Sequence, residues 1–322
     1  MRKFLSSLVL VLSFLALTVP ALGAEHLRFA TASAGGLWYV IGGAMADIFQ
    51  KQGIQASVTS GNGISNLTTI QDGRSDLAFT MLYPSLLTST TPLIGKDFSK
   101  VRLIAHMYPQ YLYFAARRDW AEKNNVKTVG DLFTKKLPFR YATLARGTIA
   151  EYLARQVFDI YNTTVEEIVK RGGKVEYGSY DQGADLMVDN HVDLYIVAAG
   201  LPLSTLIDIE TRLPIVLLPV DTATAEALAK KYGTTLYNIK KGSYKAATED
   251  IPAIGCLTSM ICSDALSEDL VFTMTKLIFE QQKDLVVAVK AMEDMNLKDA
   301  VVDMAFPFHP GALKYYKSIN AK

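Results

Sequence analysis

Short apolar runs and helical patterns alternate along the chain. Leu27-Arg28-Phe29-Ala30-Thr31 reads as a strand that breaks at Ala32-Ser33-Ala34-Gly35-Gly36, and a helical pattern covers residues 37–52. Ala56-Ser57-Val58-Thr59 is a second strand, Ser60-Gly61-Asn62-Gly63 a turn, and residues 64–71 a helix with Ser65 as its candidate cap. Asp76-Leu77-Ala78-Phe79-Thr80-Met81 is a third strand, ending at Tyr83-Pro84-Ser85. Strands and helices in that alternation predict a parallel sheet with crossover helices.

The pattern returns about 115 residues later. Phe139-Arg140-Tyr141-Ala142-Thr143, Val175-Glu176-Tyr177 and Asp193-Leu194-Tyr195-Ile196-Val197 read as strands, with helices over 149–161 and 181–188 between them. The third strands align most directly: Asp72-x-x-x-Asp76-Leu77 matches Asp189-x-x-x-Asp193-Leu194 at an offset of 117, and a proline follows each, Pro84 and Pro202. The repeat predicts two similar α/β lobes. Long apolar strands at 101–118 and 251–262 connect them as a hinge, and helices at 267–282, 285–292 and 310–319 pack on the lobes.

The N-terminus follows different rules. Met1-Arg2-Lys3 is basic, Phe4 to Val19 is apolar except for Ser6, Ser7, Ser13 and Thr18, and Pro20 precedes Ala21-Leu22-Gly23-Ala24. Basic start, apolar core, helix breaker and small residues form the order of a secretory signal, with the cut expected after Gly23. The apolar run of about 16 residues falls short of the roughly 20 that span a bilayer. No cysteine lies near the cut for a lipid anchor, and no later stretch has 18 uninterrupted apolar residues. The expectation is an exported, periplasmic and soluble mature chain.

Composition agrees with two globular lobes. The 322 residues are half apolar, with 33 Lys plus Arg against 32 Asp plus Glu, which suits about two domains. A net charge of +1 gives no support for a nucleic-acid partner. Two cysteines exclude a disulfide framework and a Cys-rich zinc site. Cys256 and Cys262 lie on one predicted strand, about 20 Å apart, and read as buried small hydrophobes.

Ligands of open parallel sheets bind beyond the carboxyl ends of the strands, where helix N-termini point. The loops at those ends carry Ser33, Gly36, Asn62, Gly63, Ser65, Tyr83, Gly147 and Thr148. Side-chain hydroxyls and exposed backbone N–H groups there suit carboxylate or phosphate, and glycines let the backbone approach closely. Arg146 adds a cation whose fork fits a carboxylate. Tyr39 and Tyr83 can cover a ligand and donate a hydrogen bond each. Plainer roles stand beside these: the glycines as turn formers, Arg146 as a solvated helix-start residue, Tyr83-Pro84 as a strand end.

Catalytic patterns are thin. The chain has no GxxxxGK[ST], GxGxxG, GxSxG or HExxH. Its histidines, His26, His106, His191 and His309, are scattered; His106 in the hinge can reach the cleft, and His309 before Pro310-Gly311 shapes a turn. Asn66-x-Thr68 and Asn162-x-Thr164 match the weak glycosylation pattern. With no nucleophile–base pair, the chain reads as a binder rather than an enzyme, with neither cofactor nor metal.

Four stretches give the mature chain a resemblance to the TAXI family of solute receptors, which serve tripartite ATP-independent periplasmic (TRAP) transporters. They are Ala30 to Tyr39; Thr59 to Leu67 continuing through Gly73 to Ala78; Val192-Asp193-Leu194 to Gly200-Leu201-Pro202; and Phe308-His309-Pro310-Gly311-Ala312-Leu313-Lys314-Tyr315-Tyr316, which is similar to the family's C-terminal signature. Leu144-Ala145-Arg146-Gly147-Thr148 departs from the family's Gly-Ser-Gly-Thr-like loop. The resemblance implies a two-lobed, periplasmic-binding-protein-like (type II) α/β fold, each lobe a mostly parallel sheet flanked by helices. Residues 24–108 and about 256–322 would form lobe 1, and about 109–255 lobe 2. It implies a monomeric receptor that closes over a small anionic solute, glutamate- or glutamine-like or a C4–C5 dicarboxylate, with Arg146 pairing a carboxylate. The solute would pass to fused small and large TRAP membrane subunits. Other readings are a binding protein of an ATP-driven transporter, a secreted sensor domain and, last, a secreted enzyme.

Overall fold

A computed structural model describes residues 26–32, 36–83 and 96–322. The expected signal at 1–23 lies outside the described residues. The first unit comprises β1 (Leu27–Ala30), α1 (Leu37–Gln50), β2 (Ala56–Thr59), α2 (Gly63–Gln71) and β3 (Leu77–Leu82). The long β4 (Val101–Arg117) follows, then α3 (Arg118–Lys123) and α4 (Val129–Thr134). The second unit comprises β5 (Arg140–Leu144), α5 (Ile149–Ile160), α6 (Val165–Lys170), β6 (Lys174–Gly178), α7 (Tyr180–Val188) and β7 (Leu194–Ala199). Next come α8 (Ser204–Arg212), β8 (Ile215–Leu217), α9 (Thr222–Tyr232), β9 (Thr235–Ile239) and the second long strand, β10 (Ile251–Ser263). The chain closes with α10 (Glu268–Glu280), α11 (Gln282–Ala288), α12 (Leu297–Ala300) and α13 (Pro310–Ser318).

The strand order is β2-β1-β3-β10-β4-β7-β5-β6, with β8 beside β4 and β9 beside β10. β2-β1-β3 and β6-β5-β7 are parallel trios of the same order, the structural form of the sequence repeat. The long strands run antiparallel to both trios and join them into one curled sheet. β10 pairs with β3 through 257–262 and with β9 through 251–255, while β4 pairs with β10 through 101–111 and with β7 through 111–116. Each long strand therefore belongs to both units. Gly255 sits opposite Tyr111, where β10 changes partners, and a Cβ there would lie 2.0 Å from the Gln110 carbonyl oxygen.

The same ion pair clasps each trio. Arg28 on β1 grips Asp76, which precedes β3, through Nε (2.9 Å) and Nη2 (2.8 Å), and its backbone N–H also donates to Asp76 (2.8 Å). Arg140 on β5 grips Asp193 before β7 in the same way, at 3.1, 2.6 and 2.8 Å. Burial raises the Asp76 carboxyl, but hydrogen bonds from Arg28 and its charge outweigh this and hold it below the usual carboxylate range. Apolar faces then close over the sheet. Under α1, for example, Phe79 packs on Phe29 and Trp38 at ring distances of 4.8 and 5.9 Å.

Two expectations need correction. The helix expected at 285–292 is split: α11 ends at Ala288, Val289 is extended (φ −144°), and a 3-10 turn covers Lys290–Asp294. The short helices α3, α4, α6, α8 and α9 were not anticipated. Among the described residues, no helix is long and apolar enough to cross a membrane. Cys256 and Cys262 are free and buried on β10, as expected, and burial pushes both thiols up.

Candidate functional site

The carboxyl ends of the six parallel strands face a common cavity. The space there is about 740 Å³ with the open solvent at its mouth included. The first unit contributes Ala32 after β1, the Gly61-Asn62-Gly63 turn after β2, and Met81 near the end of β3. The second contributes Leu144 ending β5, Tyr180 after β6 and Ala199 ending β7. Gln110, from the strand both units share, also lines it.

Five helices begin at this cavity. α2, α5 and α7 are capped by Asn62, Thr148 and Ser179, whose side chains accept from first-turn N–H groups. α1 and α8 differ: their caps, Gly36 and Leu203, offer no side-chain hydrogen bond. Tyr39 N–H and Leu206 N–H donate back to the Gly36 and Leu203 carbonyls, and the two N–H groups before each keep donor capacity at the positive end of the helix dipole. Leu37 and Trp38 of α1, and Ser204 and Thr205 of α8, line the cavity.

One polar group at the cavity is held firmly. Gln110 is only 4% exposed, and its Nε2 donates to Thr258 Oγ1 at 2.7 Å. Trp38 Nε1 donates to the same oxygen at 3.3 Å. Among the described residues, no Asp, Glu, Lys, Arg or His lines the cavity.

Four of the ten residues proposed from sequence line it: Gly36, Asn62, Gly63 and Thr148. The others lie elsewhere or serve the framework. Ser65 completes the α2 capping box, its hydroxyl accepting from the Asn62 N–H at 3.3 Å. Tyr39 lies further along α1, 39% exposed. Tyr83 is buried, and its hydroxyl accepts from Gln156 Nε2 of α5 at 3.1 Å, joining the two units. Gly147 takes φ +81°, a left-handed turn, with its N–H 3.4 Å from Glu151 Oε2. Ser33 lies outside the described residues.

Arg146 is the main correction. It is exposed, and its guanidinium rests over the Tyr177 ring at 4.7 Å, in a second pocket shared with Glu151, Arg155 and Glu166. Stacking on an aromatic face stabilises a cation there, so the loop turns Arg146 away from the cavity.

His106 does not reach the cavity either. It is fully buried, its Nδ1 2.7 Å from Ser259 Oγ and its Nε2 3.0 Å from the Val302 carbonyl oxygen. His309 caps α13, its Nδ1 accepting from the Gly311 N–H. Asn66 is also structural: fully buried, it donates to the Thr31 and Phe79 carbonyls (2.8 and 2.7 Å) and accepts from the Asn62 N–H. Such burial rules out a glycan on it, and a Cβ on Gly61 would meet its Oδ1 at 2.1 Å. Among the described residues, no cluster of His, Cys, Asp or Glu could hold a metal.

Sequence reading missed Trp38, Gln110 and the start of α8. Trp38 and Ser204 follow the strand-end loops 33–36 and 200–202, so reading each loop on through the next helical turn would have found them. Gln110 had a subtler signal, an uncharged polar residue in the middle of a long apolar strand.

These features define a class of protein. The chain is a two-lobed, periplasmic-binding-protein-like α/β protein, with a mixed curled sheet flanked by helices and a cavity between its repeated units. It belongs to the NMT1-like family, whose model matches residues 29–319. Solved structures share the fold at low identity. PhnD1 from Prochlorococcus marinus in complex with methylphosphonate is 10% identical over 93% of this chain and 100% of that one, with a TM-score of 0.55. A structure described as a periplasmic transporter is 13% identical over 93% of this chain and 94% of that one, with a TM-score of 0.51.

Proposed function

We propose that this chain is the periplasmic solute receptor of a membrane transporter. In this reading, residues 1–23 are a removed signal. Residues 24–108 with about 256–322 form one lobe, and about 109–255 the other. The lobes close over a small carboxylate and present it to membrane subunits for uptake, without chemical change. The sequence resemblance favours the TAXI branch, and hence fused TRAP subunits as the partner.

The observation that carries this reading is the convergence of six strand ends from both units on one cavity, with two helix starts, those of α1 and α8, left without side-chain caps. Uncapped helix starts are complementary to a carboxylate. They take over the role that sequence had given to Arg146. A cavity built from both lobes gives a ligand higher affinity for the closed state, which is the requirement for ligand-driven closure.

Thermal-shift screening of residues 24–322 against carboxylates tests the reading. A true ligand at a hundredfold excess over its dissociation constant stabilises by about 2.7 kcal/mol. That raises the melting temperature by several degrees. A library of small carboxylates that leaves the melting temperature unchanged at millimolar concentration contradicts the proposal.

A further inference from the structure

The cavity's missing charge is informative about its ligand. The two internal segments outside the described residues, 33–35 and 84–95, contain no Asp, Glu, Lys, Arg or His, so neither can supply a charge. Charged groups on the adjoining loops and helices are engaged elsewhere: Glu151 pairs with Arg155 at 2.7 Å. Arg146 stacks on Tyr177 in the second pocket. Asp185 and Asp208 lie on the outer side of Ser204 and Thr205, where both are paired with Arg212 (2.9 and 3.3 Å). Asp181, on the same outer side, is exposed.

We infer that the cavity selects a monocarboxylate with a compact apolar body and no ammonium group, and that Gln110 reads a hydroxyl on that body. This rests on the receptor reading above. The uncapped starts of α1 and α8 serve one carboxylate. An ammonium group would be buried with no carboxylate to meet it, and a second carboxylate would enter with no cation; either arrangement leaves a desolvated charge unpaired. Leu37, Trp38, Met81, Leu144 and Leu203 offer apolar surface for the rest of the solute. Gln110 supplies the independent observation. It is nine-tenths buried at the cavity wall, its Nε2 is committed to Thr258, and among the described residues its Oε1 has no partner. A free acceptor in that position suits an O–H donor on the ligand.

A matched set of four compounds tests this by calorimetry: 2-hydroxy-4-methylpentanoate, 4-methylpentanoate, leucine and 2-hydroxyglutarate. The hydroxy monocarboxylate is expected to bind at least tenfold tighter than leucine or 2-hydroxyglutarate. Gln110→Met, a near-isosteric change, is expected to weaken it about tenfold and to leave 4-methylpentanoate within about twofold. Leucine or 2-hydroxyglutarate binding as tightly as the hydroxy acid overturns the inference and leaves the receptor reading standing. So does silence from all four compounds when another class of carboxylate gives a thermal shift. Equal weakening of both monocarboxylates by Gln110→Met removes Gln110 as the hydroxyl reader. Silence across the whole carboxylate library overturns the receptor reading itself. The wild-type comparison stands even if the variant fails to fold.

Discussion

His106 shows what a single buried group does for this fold. The Val302 carbonyl can only accept, so His106 Nε2 carries the proton and Nδ1 is left to accept from the Ser259 hydroxyl. Burial, partly opposed by the bond to Val302, pushes its pKa from 6.5 down to about 4. Between those values the unfolded chain binds a proton that the folded chain refuses. The contribution is therefore complete above pH 6.5 and is lost as pH falls toward 4, a difference of about 3 kcal/mol at most. We predict that urea unfolding at pH 7 and pH 4.5 shows His106→Gln losing about 2 kcal/mol less than wild type over that interval. Equal losses would show that His106 is not the group responsible. Other residues were only partly legible. Asp76 and Asp193 were visible as a repeated letter pattern, but their partners Arg28 and Arg140 were not, because the pairs form across strands of the sheet. Gly36, Asn62, Gly63 and Thr148 line the cavity as expected from position beyond a strand end, which is a backbone property. Arg146, Ser65 and Tyr83 were misjudged because side-chain direction depends on Tyr177, the α2 cap and Gln156, which spacing does not reveal.

At the scale of elements, the long strands carry the connection between units. Their crossing is tight at Gly255, where a Cβ would meet the Gln110 carbonyl at 2.0 Å and the Tyr237 ring at 2.9 Å. Gly255→Ala must separate β4 from β10 at the residue that also lines the cavity. We expect a loss of about 2 to 3 kcal/mol, read as a lower denaturant midpoint with an unchanged slope. A loss below about 0.5 kcal/mol, the scale of ordinary surface changes, would mean that the crossing is slack. The two trios and both long strands were legible because apolar runs and Gly-rich breaks mark them clearly. The six-residue helices α4 and α6 were not, since so few turns give no periodic signal. Their capping boxes, Thr128 with Asp131 and Thr164 with Glu167, were present in the sequence and could have revealed them.

At the scale of the molecule, the repeat explains the cavity. Two trios of the same order are placed with their carboxyl ends facing each other, and the buried Tyr83–Gln156 bond holds them together across the cleft. A chain with a net charge of +1 does not rely on its overall field to attract a solute. On the proposed reading, recognition falls instead to uncharged groups and helix starts inside the cleft. The most direct test of this account is the affinity of a Ser204→Trp variant for the best ligand from the screen. Ser204 is exposed at the start of α8 and lines the cavity, and Trp and Ser have similar helix propensities. The substitution therefore adds bulk at the cavity wall without disturbing the core. The account predicts at least a hundredfold loss of affinity with a melting temperature close to that of the unliganded wild type. Wild-type affinity in that variant would place the binding site elsewhere.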